Sequence, residues 1–187
     1  MTFPENHKKV PRLLKQQGDS CYAYAVCMAI ECKLNGEIKL DPLKFYKDTT
    51  ADGRQPHMIK ALEYARDFGV PIEKSNERYK IRGFSPVQRP TSFIFKNIHH
   101  SIQKGEPVLI SLDWGNTDTL TKLTKDGIVQ PRPRAMHAVV GVDTVGLSAI
   151  LFANPHGDHY GENGYAVIDL NHGLREKTIA GGYILQI

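Results

Sequence analysis

The sequence predicts an α+β protein in one domain, with a mainly helical lobe over residues 16–105 and a mainly β lobe over residues 106–187. Three observations carry this. The stretch CYAYAVCMAIECKL, from Cys21 to Leu34, is dense in apolar residues and contains no Pro or Gly. Its length and its alanines favour a largely buried helix over a strand. Beyond Gly105 the character changes to short β-branched segments bounded by glycine or polar turns. Finally, 187 residues suit one compact domain or two small lobes sharing a cleft.

Residues 1–19 are polar and irregular and end at the turn-like Gly18-Asp19. Ser20 then stands where an N-cap is needed for the first helix, and Asn35-Gly36 supplies its stop. Leu40 to Tyr46 reads as a short helix opened by Asp41 as cap and Pro42 in the first turn. Met58 to Arg66 carries Met58, Ala61, Leu62 and Ala65 on one helical face, and Gly69 ends it. A further helix is expected from about Ser92 to Lys104, with Phe95, Ile98 and Ile102 as its inward stripe. PVLISLD at 107–113, HAVVGVD at 137–143, SAILFAN at 148–154, YAVIDL at 165–170 and the final GYILQI read as strands. There are no repeats or low-complexity tracts.

Composition narrows the function classes. Hydrophobic residues make up 41% and charged residues 24%, as expected of a soluble folded protein. No apolar run is long enough to cross a bilayer, so no membrane partner is expected. The start, MTFPENHKKVPRLL, lacks the apolar core and cleavage site of a signal peptide. A net charge of +4 weakly favours acidic partners, but the bases are interspersed with acids and form no nucleic-acid motif. The three cysteines, Cys21, Cys27 and Cys32, fall in one helical stretch. At 1.5 Å per residue their axial separations are roughly 9, 7.5 and 16 Å, too far for a disulfide within the helix. A reducing, cytoplasmic setting is the simpler expectation.

Four residues suggest chemistry. Cys21 opens the first helix, where unpaired backbone N–H groups and the helix dipole favour a thiolate. His137 opens a strand, and if the lobes meet it can take the thiol proton and return one to a leaving group. Asn154 ends the next strand; an antiparallel pair turning at Thr144 to Leu147 would set it beside His137, where its side-chain oxygen can orient the ring. Gln17 or Gln16 offers an amide donor for an oxyanion, together with the Cys21 N–H. Taken singly, each has a blander role: a packed cysteine, a strand histidine, an asparagine before a proline turn, a surface glutamine. Cys27 and Cys32 read as ordinary buried residues, and His99-His100 as surface or lobe-interface histidines. His156 and His159 lack the further ligands a metal site needs, and Glu162 suits holding its loop rather than acid catalysis. No cofactor or metal is expected.

Together these segments resemble the papain-like, cathepsin-like cysteine peptidases. QQGDSCYAYA resembles the segment around their nucleophile, HAVVGVD their histidine strand, and ILFANPHGDHYGENGYAVID their asparagine motif with the GENGY segment that follows. GEPVLISLD is similar to the first central strand after their lobe crossover. The similar blocks extend from about Gln16 to Ile187. The resemblance implies a two-lobe fold with an antiparallel β lobe and the active site between the lobes. It implies Cys21 as nucleophile, His137 as acid/base partner, Asn154 as orienting residue and a glutamine in the oxyanion hole.

The sequence departs from the family in several places. The glutamine usually stands six residues before the cysteine, but position 15 is lysine; Gln17 is favoured because Gly18 allows a tight turn after it, with Gln16 as the alternative. Tyr22 replaces the usual tryptophan after the nucleophile, and His156 replaces the one two residues after the asparagine. The customary paired cysteines are absent, and Gly53-Arg54-Gln55 carries no Gly-Gly pair to line a substrate cleft. Twenty residues precede Cys21, so no inhibitory pro-segment is expected. The leading reading is a peptidase acting on a peptide or protein substrate. The alternatives are hydrolysis of another amide or thioester, acyl transfer by the same residues, or a non-catalytic binding protein on the same fold.

Overall fold

The computed structural model describes residues 8–53, 57–87, 91–113, 120–121, 136–169 and 179–187. Helix α1 runs Cys21–Lys33 and is buried at every position from Tyr22 to Cys32. A helix apolar on all sides has no solvent face and must lie in the interior. Ser20 occupies the N-cap position without a side-chain cap; its hydroxyl donates instead to the Gln17 carbonyl at 2.6 Å. At the far end Asn35 and Gly36 take positive φ, and the Gly36 N–H closes on the Glu31 carbonyl at 2.8 Å.

Helix α2, Pro42–Thr49, starts as the sequence predicts: Asp41 accepts from the Lys44 N–H at 2.9 Å and Pro42 sits in the first turn. Such a cap contributes about 1 kcal/mol. Helix α3, Met58–Asp67, buries Met58, Ala61, Leu62 and Ala65 and is capped by the His57 side chain, which the sequence reading did not anticipate. Short strands β1 (Val70–Pro71) and β2 (Arg78–Tyr79) pair with each other and were also not foreseen. At two residues each they are too short to show a period.

Strand β3 (Gly83–Pro86) precedes helix α4 (Thr91–Gln103); then follow β4 (Val108–Asp113), β5 (Leu120–Thr121), β6 (Met136–Val145), β7 (Ala149–Ala153), β8 (Tyr165–Asp169) and β9 (Ile179–Gln186). Phe95, expected on the inward stripe of α4, has a side chain outside the described residues. Strands β3 to β9 form one sheet in the order β3-β9-β4-β6-β7-β8-β5, with every pair antiparallel. Period-2 alternation sorts its side chains between two cores. Leu109, Ala138, Val140, Leu151, Ala153 and Val167 pack with α1, α2 and α3. Val108, Ile110, Leu112, Val139, Ile150, Phe152 and Ile168 pack with Ile98 and Ile102 of α4. Thus β3 and α4, which precede Gly105 in the chain, join the sheet rather than the helical lobe.

The helical core is fixed to the preceding segment by one buried charge. Glu31 on α1 is 1% exposed and accepts from Arg12 Nε at 3.1 Å and Nη2 at 2.5 Å and from the Leu40 N–H at 2.8 Å. Arg12 also contacts Glu73 and donates to the Leu40 carbonyl at 2.7 Å. Both carboxylate oxygens of Glu31 thus have a donor, which helps a buried carboxylate to be tolerated. Among the described residues no helix is long and apolar enough to cross a membrane.

Candidate active site

Cys21 is the first residue of α1, and α1 packs against β6. Its thiol lies against the backbone amide of Ala138, one residue past His137 on β6. Cys21 is half-buried, whereas Cys27 and Cys32 are buried, and all three are free thiols. The helix-start argument predicts a depressed thiol pKa. In the structure burial is the larger effect and pushes the Cys21 thiol up, against the backbone amides of Ala138, Tyr22 and Cys21, which pull it down. Asp19 adds to the upward push. Burial likewise raises Cys27 and Cys32, Cys27 strongly.

His137 sits at the second position of β6 and is 6% exposed. Asn154 directly follows β7 and is fully buried. His137 Nε2 and Asn154 Oδ1 are 2.9 Å apart. The same Oδ1 accepts the backbone N–H of His156 at 3.0 Å. A backbone N–H can only donate, so this contact identifies the Asn154 atom as the oxygen; an oxygen can only accept, so His137 carries its hydrogen on Nε2. In the neutral ring Nδ1 is then the basic nitrogen. Burial pushes the His137 pKa down to about 4; the Asn154 hydrogen bond opposes this and the nearby His156 adds to it. At neutral pH each of Cys21 and His137 is driven by burial toward its uncharged form.

The backbone around Asn154 is held from several sides. Its N–H donates to the Gly164 carbonyl at 2.9 Å. Gly164 has φ +87, and a Cβ there would lie 2.0 Å from Leu13 Cδ2 and 3.0 Å from the Gly157 carbonyl. Only glycine fits both that dihedral and that space. Within the GENGY segment, therefore, the glycine supports the site, while Glu162 is exposed at the loop and pairs through its backbone with Tyr165. Burial raises the Tyr160 phenol pKa, and the nearby Asn154 side chain opposes that rise.

The two glutamines differ in setting. Gln17 is exposed, and its carbonyl is tied to Ser20. Gln16 is half-buried; its N–H donates to the Pro155 carbonyl at 2.6 Å and its Nε2 to the Gly18 carbonyl at 2.8 Å. Gly18 takes φ +57, the left-handed turn conformation glycine allows. Tyr22, at the position after Cys21, is buried and shares a hydrogen bond of 3.0 Å with Thr49. Residues 54–55 of the Gly53-Arg54-Gln55 segment lie outside the described residues. Among the described residues no cluster of three His, Cys, Asp or Glu side chains could hold a metal ion.

One residue of the site entered the sequence reading only as a substitution for tryptophan and as half of a histidine pair too poor in ligands for a metal. His156 stacks on His137, with ring centroids 4.5 Å apart and planes 9° from parallel. Its spacing two residues after Asn154 was visible, but a ring stack across a loop has no sequence period to reveal it.

No family model and no curated protein matches the sequence. Solved structures do match the fold. Xylellain, a cysteine protease from Xylella fastidiosa, has a TM-score of 0.71 at 15% identity, over 96% of this chain and 84% of that one. A cysteine protease of Carica candamarcensis in complex with E-64 gives 0.66 at 18% identity, over 94% of this chain and 92% of that one. A chain from work on antibody cross-reactivity between the mite allergens Blo t 1 and Der p 1 gives 0.66 at 17% identity, over 94% of this chain and 67% of that one. The chain has the fold of papain-like cysteine proteases.

Proposed function

We propose that this chain, sharing the papain-like fold, is a cysteine peptidase that cleaves peptide bonds through a thioester acyl-enzyme. The observation that carries the reading is the double acceptor at Asn154 Oδ1, which leaves His137 Nδ1 as the basic nitrogen on the strand against which the Cys21 thiol packs.

In the proposed reaction His137 Nδ1 takes the Cys21 proton as Sγ attacks the substrate carbonyl. The carbonyl π electrons move to oxygen, and the Cys21 N–H and the Gln17 side-chain amide donate to that oxyanion. Collapse of the tetrahedral intermediate breaks the C–N bond, and the proton on Nδ1 goes to the leaving amine. A water molecule then gives its proton to Nδ1 and attacks the thioester; the proton returns to Sγ as the acid leaves. Burial disfavours the charged form of each group, so in this reading proton transfer accompanies attack.

The test is cleavage of a mixture of unstructured peptides followed by mass spectrometry, comparing the wild-type chain with Cys21→Ala. Wild-type cleavage that disappears in the variant supports the reading. Cleavage that persists in Cys21→Ala, or no cleavage together with no alkylation of Cys21 in the folded chain, overturns it.

A further inference from the structure

The His137–His156 stack sets two titratable rings in face-to-face contact, 4.5 Å between centroids. It is built into the backbone. The His156 N–H is held by Asn154 Oδ1, His156 pairs with Lys15 in an antiparallel bridge, and the next backbone contact is Gln16 to Pro155. Two imidazolium rings at this spacing repel strongly, so as pH falls the pair accepts its first proton on one ring and resists the second.

Solvation and neighbours decide which ring that is. His137 is 6% exposed, while His156 is half-buried and keeps contact with water, so a charge costs less on His156. The Tyr160 ring lies 5.9 Å from the His156 ring, within the roughly 6 Å reach of a cation–π contact. Lys15 pairs with His156 through its backbone, and the Cys21 thiol is influenced by the backbone amide of Ala138, the residue after His137. Asp158 and His159, which pair with each other at 3.8 Å, are exposed farther along the loop.

We infer that His156 is a positioning residue that takes the first proton of the stacked pair, so that His137 remains a neutral base in mildly acidic solution. The consequence for catalysis rests on the reading of His137 as the general base; the order of protonation does not. The depressed His137 pKa agrees with this order, burial being its main cause and His156 a contributor.

The experiment is a pH titration of the imidazole carbon–proton signals of the wild-type chain by NMR, assigned with single histidine variants. His156 is expected to titrate at higher pH than His137. In His156→Phe, which keeps an aromatic face without a proton, the His137 titration should move up by about one pH unit. The acid limb of kcat/KM should move with it, so that activity is lost at higher pH than in the wild type. His156→Gln should shift His137 in the same direction. If His137 titrates above His156 in the wild type, or if both variants leave the His137 titration where it was, the inference is overturned. Should a variant fail to fold, the wild-type order alone decides. The titration makes no use of peptide cleavage, so a chain with this order and no peptidase activity refutes the proposed function and leaves the inference standing.

Discussion

Asn154 Oδ1 lies 2.9 Å from His137 Nε2, and it is held there by a second donor, the His156 N–H at 3.0 Å. The asparagine therefore does two things to the histidine: it fixes the ring's orientation and it fixes the tautomer. Asn154→Ala removes both. Loss of one buried hydrogen bond of this kind corresponds to about 1–3 kcal/mol, roughly a tenfold to hundredfold fall in kcat/KM. Steady-state kinetics would give the fall, and nitrogen chemical shifts of His137 would show a mixture of tautomers in place of one. A variant with unchanged kinetics and a single tautomer would count against the orienting role.

Cys21 should be the reactive thiol. Burial raises all three thiol pKa values, but Cys21 is half-buried at a helix start whereas Cys27 and Cys32 are buried out of reach of a reagent. Brief treatment of the folded chain with limiting iodoacetamide is expected to label residue 21 alone, read by peptide mass spectrometry. Thiol counting after denaturation without reductant should give three per chain, in keeping with three free cysteines. Preferential labelling of Cys27 would contradict the burial argument.

The His137 pKa makes a prediction about stability. Its folded value of about 4 lies below the ordinary 6.5, so between these pH values the unfolded chain binds more protons than the folded one. Stability from this group is full above the unfolded value, falls as pH drops toward the folded value, and then levels off. The difference is of the order of 3 kcal/mol. Urea unfolding at a series of pH values should show the wild type losing stability through this window, and His137→Gln should lose distinctly less.

Glu31 should be a stability residue without a catalytic role. Glu31→Ala leaves Arg12 facing Glu73 and leaves the Leu40 N–H without its acceptor. Breaking a buried pair from one side costs about 3–5 kcal/mol. Urea denaturation would measure it, and a loss below about 1 kcal/mol would show that the site relaxes around the gap.

The oxyanion donor separates two neighbouring residues. Gln16 already spends its Nε2 on the Gly18 carbonyl, while Gln17 is exposed on a backbone tied to Ser20. Gln17→Ala is expected to lower the acylation rate by roughly a hundredfold, with little change in ground-state binding. Gln16→Ala should act less on acylation. Single-turnover kinetics on a peptide ester, with circular dichroism as a folding control, would compare the two, and the reverse ranking would assign the role to Gln16.

The long periodic elements were legible in the sequence. An apolar run without Pro or Gly made α1, Asp41-Pro42 opened α2, the spacing of Met58, Ala61, Leu62 and Ala65 made α3, and β-branched segments made β4 and β6 to β9. These are local patterns, and local energetics write them directly into the chain. The positions of the three candidate residues follow from the same elements: Cys21 opens α1, His137 is second on β6 and Asn154 directly follows β7.

Tertiary structure alone decided how those ends meet. Val145 pairs with Ala149 and Thr144 with Ile150, and in that register Val140 would face Asn154. The irregularity between Gly141 and Asp143 shifts the ladder by one residue, so Val140 faces Ala153 instead. A one-residue slip turns side chains to the opposite face of the sheet, and nothing in a period-2 pattern marks where a bulge will absorb it. The balance of charge was equally non-local. A helix start by itself lowers a thiol pKa, but the packing of α1 against β6 buries Cys21 enough to reverse the direction. The sequence determined which residues stand at the ends of which elements; burial, strand register and the stacking of His156 on His137 depend on contacts between segments far apart in the chain, and so were settled only when those segments packed.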